Sequence, residues 1–290
     1  MAGYRIFTDA TADLSEALLE GLPPVTVIPM EVEVGGTVRV WGPGGDLSAA
    51  DFYTLLRAGA HASTSRIRPE AYRRGFEPVL RQGQDVLYLC FSSGMSGTFE
   101  TARLCAAELE AEYPGRRVLC IDTLCASIGE GFLVRQAACL QARGWPLEEL
   151  ACWAAVHRLE VCHWFTVDEF DHLRRGGRVS AAAAVFGTAM QIKPLLHVDE
   201  AGRLAVLEKP RGRRQAIQAQ LARMEASWTP RGDDLVLVGH GDCPERAAQL
   251  RRTVEERFPG VRVETVEIGP VIGAHTGPGM LALVHWGSAR

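Results

Sequence analysis

The sequence lacks any apolar stretch that approaches the roughly 18 residues of a membrane-spanning helix. Its most uniformly apolar run, AAAAVFG at 181–187, is short and is flanked by Arg178 and Lys193. The first residues, MAGYRIFTDA, lack the basic and apolar regions of a secretory signal peptide. We therefore expect no membrane span and a cytoplasmic location.

Metal-binding and disulfide spacings are also missing. No CxxC pair has a matching second pair, which excludes the usual structural zinc pattern. The eight cysteines stand mostly inside apolar runs: Cys90, Cys105, Cys120, Cys125, Cys139, Cys152, Cys162 and Cys243. Such cysteines are typically buried free thiols, so we expect neither a metal nor a disulfide.

Nucleotide-binding signatures are absent as well. The sequence contains no G-x-x-x-x-G-K-[ST] loop and no G-x-G-x-x-G after its first strand. Its 35 acidic residues slightly outnumber its 31 basic residues, which gives a net charge of -4. Because no overall positive field draws the chain to nucleic acid, we expect no nucleic-acid partner. We also expect no cofactor.

The first half of the chain alternates short apolar runs with helical patterns. The runs are YRIF at 4–7, VTVI at 25–28, VLYLCF at 86–91 and VLCI at 118–121. This alternation is typical of a parallel sheet. Apolar residues at steps of three and four over 99–113 predict a helix packed on that sheet. Since 290 residues exceed most single cores, we predict an α/β protein of two domains, the first a Rossmann-like parallel domain at 1–160.

After residue 160 the apolar runs are joined by turns. KPLLHV and RLAVLEK flank a turn at 199–202, which predicts antiparallel pairing. We therefore predict a second, α+β domain at 161–290 with a mixed or antiparallel sheet. In EVEVGGTVRV we expect a three-residue loop at 35–37, because it sets Val34 against Val38 and Glu33 against Arg39.

The segment FSSGMSGT at 91–98 lies where a predicted strand ends and a helix begins. This edge of a parallel sheet opens a crevice, and the first helical turn presents unpaired N–H groups. The segment adds three hydroxyls and two glycines: Ser92, Ser93, Ser96, Gly94 and Gly97. It predicts a site for a phosphate or a carboxylate. The alternatives are helix capping by Ser96 or Thr98 and a nucleophilic serine, although the G-x-S-x-G spacing fails by one residue.

Two further segments are candidates at the same edge. Asp9 and Asp13 follow the first strand, where capping of a helix explains them and a metal or proton-exchanging pair is the alternative. The residues STS at 63–65 precede a second predicted helix and have the same two interpretations, a cap and a ligand contact.

A histidine and two basic clusters complete the candidates. The stretch 269–279 surrounds His275 with four glycines and two prolines, which predicts a rigid loop. His275 is then either an ordinary core or surface histidine or a donor to an anion. The clusters HLRRGGR at 172–178 and KPRGRR at 209–214 are solvated faces by default, and a phosphate or an acidic partner is the alternative.

Taken together, the chain resembles the DegV family over nearly its whole length. The resemblance lies in seven segments that follow the family's order: TDATADL at 8–14, TSRIRP at 64–69, FSSGMSGTFETA at 91–102, IDTLCASIGEG at 121–131, FTVDEFDHLRRGGRVS at 165–180, IKPLL at 192–196 and IGPVIGAHTGPG at 268–279. It implies a long-chain fatty acid held between the two domains. Similar members are non-catalytic subunits that present the fatty acid to a separate, ATP-binding fatty acid kinase subunit, which phosphorylates the carboxylate.

The resemblance also implies a set of site residues. The residues expected to bind the fatty acid are Thr64, Ser65, Ser92, Ser93, Gly94, Ser96, Gly97, Thr98, Gly273 and His275. Those expected to dock the kinase subunit or steady the phosphoryl group are Arg174, Arg178 and Arg211. The family commonly continues its TS pair as TSQPSP, whereas here 66–68 reads RIR before Pro69. The alternatives are a serine-dependent acyl hydrolase that uses Ser93 or Ser96 with His275, and a protein-binding module with a vestigial site.

Overall fold

The computed structural model describes residues 3–179, 191–232, 234–288 and 290. The alanine-rich run at 181–187, which the sequence suggests is helical, lies outside these residues. The strands are β1 (Tyr4–Asp9), β2 (Val25–Ile28), β3 (Met30–Val34), β4 (Thr37–Trp41), β5 (Ala62–Thr64), β6 (Asp85–Cys90), β7 (Val118–Asp122), β8 (Val161–Thr166), β9 (Leu195–Val198), β10 (Leu204–Glu208), β11 (Leu235–His240), β12 (Arg262–Glu267) and β13 (Leu281–Trp286). The α-helices are α1 (Glu16–Leu19), α2 (Ala49–Arg57), α3 (Pro69–Arg81), α4 (Thr98–Glu112), α5 (Ile128–Ala142), α6 (Leu147–His157), α7 (Asp171–Gly176), α8 (Arg213–Ser227), α9 (Pro244–Arg257) and α10 (Pro270–Thr276).

The first sheet is parallel and has the order β2-β1-β6-β7. Its strands are apolar on both faces, and helices cover both. Phe7 and Tyr88 pack in the core that holds α3 and α4. Ile6 and Leu87 pack in the core that holds α5 and α6. Strands buried on both sides in this way are typical of parallel α/β sheets, and the predicted parallel arrangement is confirmed.

The second sheet is mixed and has the order β10-β9-β8-β13-β11-β12. Strands β11 and β12 are parallel, and the other neighbouring pairs are antiparallel. The antiparallel hairpin predicted around 199–202 is present, with Val198 opposite Leu204. Helices α8 and α9 pack on one face of this sheet, and α5 packs on the other.

Helix α5 lies between the two large sheets. Its Val134 and Ala137 contact the core of the first sheet, whereas Phe132 and Leu133 contact the core of the second. Twelve of its fifteen residues are buried, as expected for a helix with packing partners all round. The predicted fold class, a parallel sheet followed by a mixed sheet, is confirmed, and the domain boundary after residue 160 stays a prediction.

A third, small sheet of order β4-β3-β5 shows that the predicted hairpin register is wrong. The loop has two residues, Gly35 and Gly36, so that Glu33 lies opposite Val38. Both glycines have positive φ, +59° and +79°, which suits a two-residue hairpin loop. The turn geometry therefore sets the register, and Val38 is left 61% exposed on the edge strand.

The sequence predicted a loop at the glycine- and proline-rich stretch 269–279. The structure instead has helix α10 there. Pro270 occupies the first helical position, where a missing N–H costs nothing. Gly277, with φ of +72°, follows the last helical residue. No helix within the described ranges combines the length and apolarity needed to traverse a bilayer.

Candidate functional site

A cavity of about 400 Å³ opens where the carboxyl ends of the first sheet face the second sheet. Its volume lies within the range of about 300–1,000 Å³ that is usual for small-molecule sites. Both halves of the chain contribute to a mostly apolar lining, which includes Phe91, Ile128, Phe165, Leu173, Ile272 and Val284. The cavity therefore suits a largely apolar ligand.

One group of polar and basic lining residues lies around the contact between Thr64 and His275, and we call it the polar end. Its members are Thr64, Ser65, Arg66, Ser96, Arg178 and His275. Arg66 and Arg178 carry positive charge, and no aspartate or glutamate belongs to the described lining. An apolar cavity with this charge favours a ligand that has an anionic group at one end.

His275 is held at the polar end by Thr64. Nε2 of His275 lies 2.8 Å from Oγ1 of Thr64. Burial, together with the Arg178 guanidinium, lowers the pKa of His275 to about 4, so the imidazole is neutral near pH 7. Its Nδ1 is buried and has no hydrogen-bond partner among the described residues. The neutral ring therefore has a single N–H. It lies either on Nε2, where it donates to Thr64, or on Nδ1.

Gly176 fixes the position of the His275 ring. A Cβ built at Gly176 would lie 2.4 Å from Nδ1 of His275. No side chain larger than hydrogen fits there unless the ring moves. The end of helix α7 therefore presses the imidazole towards Thr64.

Arg66 lies across the start of helix α4. A Cβ built at Gly97 would lie 2.9 Å from Cδ and from Nη1 of Arg66. The neighbouring Ser96 hydroxyl lies 2.8 Å from Oγ1 of Thr98 and accepts from the Thr98 N–H at 3.2 Å. Gly97 therefore admits the guanidinium to the polar end, beside Ser96. From the sequence, we noted Arg66 only as a departure from the family pattern and did not predict it as a site residue.

The structure brings Thr64, Ser65, Ser96, Arg178 and His275 together, but it places six other predicted residues outside the described lining. These are Ser92, Ser93, Gly94, Gly97, Thr98 and Gly273. Ser92 is buried; its hydroxyl donates to the Gly202 carbonyl at 2.7 Å and accepts from the Gly94 N–H at 3.1 Å. Ser93 is exposed, and its N–H donates to Asp122 Oδ1 at 3.1 Å. These hydroxyls and glycines shape the turn and join it to the β9–β10 loop.

Thr98 and Gly273 also have packing roles. Thr98 is 1% exposed and sits at the first position of α4, with its hydroxyl against Ser96. Gly273 lies inside α10 where it crosses Phe52 and Tyr53, since a Cβ there would lie 2.7 Å from the Phe52 ring. The small residue allows α10 to approach α2 and so brings His275 to the polar end.

The three predicted arginines are in different places. Arg178 lines the polar end, where its guanidinium donates to the carbonyls of Met95 and Gly176. Arg174 is exposed and pairs with Asp171 at 3.0 Å. Arg211 is exposed and does not belong to the described lining of the cavity.

The sequence position of Asp9 and Asp13 suggested that they cap a helix. They do not, because α1 begins only at Glu16. Asp13 is buried and accepts from the Ser127 hydroxyl at 2.6 Å and from the Gly269 N–H at 2.8 Å. Burial raises the pKa of Asp13 to about 7. These bonds tie the turn after β1 to the starts of α5 and α10.

Asp9 belongs to a second buried group, with Glu130. Both carboxyls are fully buried and contact the Thr11 hydroxyl, Glu130 at 2.7 Å. Oγ1 of Thr8 lies 2.9 Å from both Glu130 Oε1 and the Leu89 carbonyl. Burial raises the pKa of Glu130 well above its usual value. The Thr8 hydroxyl has one proton and cannot donate to both Leu89 and Glu130. If Glu130 is protonated, it donates to Thr8, and Thr8 donates to the Leu89 carbonyl.

Besides Arg66, four polar lining residues were not predicted from the sequence: Thr11, Ser127, His163 and Thr276. Thr11 and Ser127 follow carboxyl ends of parallel strands, which is a general signal for a site. His163 lies within β8 and gave no such signal. Burial holds its pKa well below the usual value, so it adds no charge to the cavity. Among the described residues no cluster of histidine, cysteine and acidic side chains could hold a metal ion.

Comparison with known proteins identifies the family. The model of the DegV family of uncharacterised proteins matches residues 4–286. A DegV domain-containing protein of Clostridium perfringens is 33% identical over 290 residues, which cover 100% of this chain and 99% of that protein. The chain belongs to the DegV family.

Solved structures share the fold. A DegV family protein from Thermus thermophilus, described by its fatty acid binding, is 30% identical, with a TM-score of 0.85 over 98% of this chain and 99% of that one. The fatty acid kinase B3 protein of Streptococcus pneumoniae, loaded with linoleic acid, has a TM-score of 0.85 over 99% of each chain. At 19% identity, the second likeness shows the fold alone.

Proposed function

We propose that this protein binds a long-chain fatty acid in the cavity, with the carboxylate at the polar end, and presents it to a separate fatty acid kinase subunit. The observation that carries the proposal is an apolar cavity of about 400 Å³. Among the described residues that line it, the charged ones are Arg66 and Arg178. The fatty acid binding described for the Thermus thermophilus relative supports the same ligand class.

The tail supplies most of the binding free energy in this proposal. Each CH₂ group removed from water contributes about 0.8 kcal/mol. A chain of about sixteen carbons therefore offsets both its own loss of conformational freedom and the cost of desolvating its carboxylate.

The carboxylate needs hydrogen-bond donors once it leaves water. When neutral His275 carries its proton on Nε2, it donates to Thr64, and the Thr64 hydroxyl is free to donate to the carboxylate. Ser65 and Ser96 offer further hydroxyls at the polar end, and the two arginines offer charge. In this proposal His275 orients Thr64 and does not act as a cationic ligand.

Presentation to a kinase subunit agrees with an arrangement that binds a carboxylate without attacking it. The hydrolase alternative needs a serine paired with His275, but His275 pairs with Thr64 and Ser93 lies outside the described lining. No described carboxylate orients the free Nδ1 of His275. Arg174 and Arg211 are exposed and stay candidates for docking the kinase subunit.

Native mass spectrometry of protein purified from cells tests ligand binding. We expect an added mass that matches a long-chain fatty acid, and release of that acid on denaturation. After delipidation, palmitate should rebind, whereas its methyl ester should bind much more weakly because it carries no charge. Equal binding of acid and ester would contradict the assigned polar end.

Reconstitution tests presentation. The protein, palmitate, ATP and a purified ATP-binding subunit of fatty acid kinase should together form acyl phosphate, and omission of any one component should abolish it. Formation of acyl phosphate by this chain and ATP alone would overturn the carrier role.

A further inference from the structure

Arg290 lies at the junction between the two halves of the chain, and its guanidinium donates to five acceptors there. They are the carbonyls of Leu124 (2.7 Å), Val161 (3.1 Å), Asp199 (3.3 Å) and Arg158, and Sγ of Cys125 (3.0 Å). One bond starts from Nε and two start from each of the terminal nitrogens, which matches the five N–H groups of a guanidinium. One side chain therefore ties together the segment after β7, the start of β8 and the turn after β9.

The segments that Arg290 joins also line the cavity. Cys125 is followed by three lining residues at 126–128, Asp199 is preceded by Val198, and His163 follows Val161 by two residues. We call these five lining residues the anchored wall: Ala126, Ser127, Ile128, His163 and Val198. None of them belongs to the polar end, and Arg290 itself does not belong to the described lining. Arg290 therefore holds a part of the lining that faces the tail of the ligand.

His163 links the anchored wall to Arg290 a second time. Nδ1 of His163 lies 2.9 Å from the Val161 carbonyl, which also accepts from Arg290. Burial, together with the Arg290 guanidinium, holds the pKa of His163 well below its usual value. The neutral ring thus donates from Nδ1 to Val161 and accepts at Nε2 from the Ala126 N–H at 3.4 Å.

The backbone of the segment that precedes helix α5 is strained. Leu124 and Ser127 have φ of +50° and +53°, in the left-handed region that costs a residue other than glycine about 1–2 kcal/mol. Such conformations persist where surrounding bonds hold them. The bonds from Arg290 to Leu124 and Cys125 do so here, so their loss should let the anchored wall relax.

We infer that Arg290 is a positioning residue that sets the largest tail the cavity accepts, because it fixes the anchored wall. The inference rests on the proposed function and adds to it a residue that selects among fatty acids. A fixed wall excludes the part of a long tail that does not fit. A relaxed wall admits further CH₂ groups, and each of these contributes about 0.8 kcal/mol once it leaves water.

A series of saturated acids tests the inference on the delipidated full-length protein. Displacement assays give the affinities for laurate, palmitate and arachidate of the unsubstituted protein, of Arg290→Gln and of Arg203→Gln. Arg203 is the matched control, since it lies in the same β9–β10 turn, 3.7 Å from Asp199, but is exposed and does not line the cavity.

We expect Arg290→Gln to raise the ratio of arachidate affinity to palmitate affinity by about four-fold for each further CH₂ that enters the cavity. The affinity for laurate, whose short tail does not need the added space, should stay the same. Arg203→Gln should change neither value. An equal loss of affinity for all three acids would indicate a purely structural role and overturn the inference, as would an unchanged ratio or the same shift in the control. Failure of the unsubstituted protein to bind any of the acids would instead remove the proposed function, and this inference with it.

Arg290→Lys is a second, milder variant for the case in which thermal melts show that Arg290→Gln does not fold. Lysine keeps the charge, but its three N–H groups start from one nitrogen and cannot reach acceptors on all the joined segments. The ratio should therefore shift in the same direction. An unchanged ratio in folded Arg290→Lys would also contradict the assigned role.

Discussion

Oγ1 of Thr64 and Nε2 of His275 lie 2.8 Å apart, which ties strand β5 to helix α10 across the polar end. The two residues are 211 positions apart in the sequence. Because His275 is buried and neutral, the bond sets the direction in which Thr64 can offer its proton. The cavity and a second, smaller pocket both include Thr64 and His275 in their lining.

Thr64→Val should weaken palmitate binding by about 1.5–3 kcal/mol, the usual contribution of a hydrogen bond to a charged group. The substitution keeps the shape of the side chain and removes its hydroxyl. Isothermal titration of delipidated protein measures the change. Ser63→Ala is the control, because Ser63 bonds to Glu33 and does not line the cavity. Equal losses in the two variants would contradict a direct role for Thr64.

Arg66→Gln should weaken palmitate binding by up to about 1 kcal/mol at low salt, with a smaller difference at high salt, because exposed charges are screened. The matched control is Arg68→Gln, which removes the same charge two residues away. Arg68 pairs with Glu31 at 3.1 Å and does not line the cavity. Fluorescent fatty-acid displacement at two ionic strengths measures both. A difference that does not depend on salt would argue against a charge effect.

Gly176→Ala should displace the His275 ring and weaken palmitate binding by about 1–2 kcal/mol. Gly177→Ala is the comparison: Gly177 has φ of +66° and no atom within 4 Å of a built Cβ. That variant should lose about 1 kcal/mol of folding stability through backbone strain yet bind palmitate normally. If both variants lose affinity in proportion to stability, the contact with His275 is not the cause.

Glu130→Gln should make the protein more stable than the unsubstituted form as pH rises above about 5. The folded-state pKa of Glu130 is raised above its unfolded value, so the stabilisation from its protonated form is present below the unfolded pKa and is lost as pH rises towards the folded pKa. Glutamine keeps a donor towards Thr8 without titrating. The stability difference should grow by about 1.4 kcal/mol per pH unit, measured by urea unfolding. A difference independent of pH would mean that Glu130 is ionised in the folded protein.

Affinity should rise about four-fold for each CH₂ added to a saturated fatty acid, which corresponds to about 0.8 kcal/mol, until the cavity is filled. Displacement assays with a series of chain lengths measure the slope. Affinities that do not change with length would show that the tail is not buried in the cavity.

Local sequence patterns predicted the two large sheets well. Strands β1, β2, β6 and β7 are short apolar runs that alternate with helical patterns, and each formed where its run indicated. The hairpin register was predicted wrongly because side-chain matching was weighed above the two glycines of the turn. Helix α10 was missed because glycine and proline were taken as loop residues, although Pro270 and Gly277 stand at its two ends.

The candidate site depended on contacts that no local pattern contains. His275 reaches Thr64 only because Gly273 lets α10 approach α2 and Gly176 leaves space for the ring. The serine-rich turn was predicted to bind a ligand, with helix capping as an alternative, but neither interpretation included the bond from Ser92 to the β9–β10 loop of the other half. Arg66 could have been proposed from the sequence, since it follows Ser65 directly.

Helix α5 packs against both large sheets, so a cut between the two halves of the chain separates side chains that are buried together. A fragment that ended near residue 160 would expose Phe132 and Leu133 to water, and the complementary fragment would have an uncovered sheet where those side chains pack. Neither piece would carry a complete wall for the tail of a ligand. Proteolytic cleavage or gene splitting at that point should therefore yield two aggregating fragments, not two working modules.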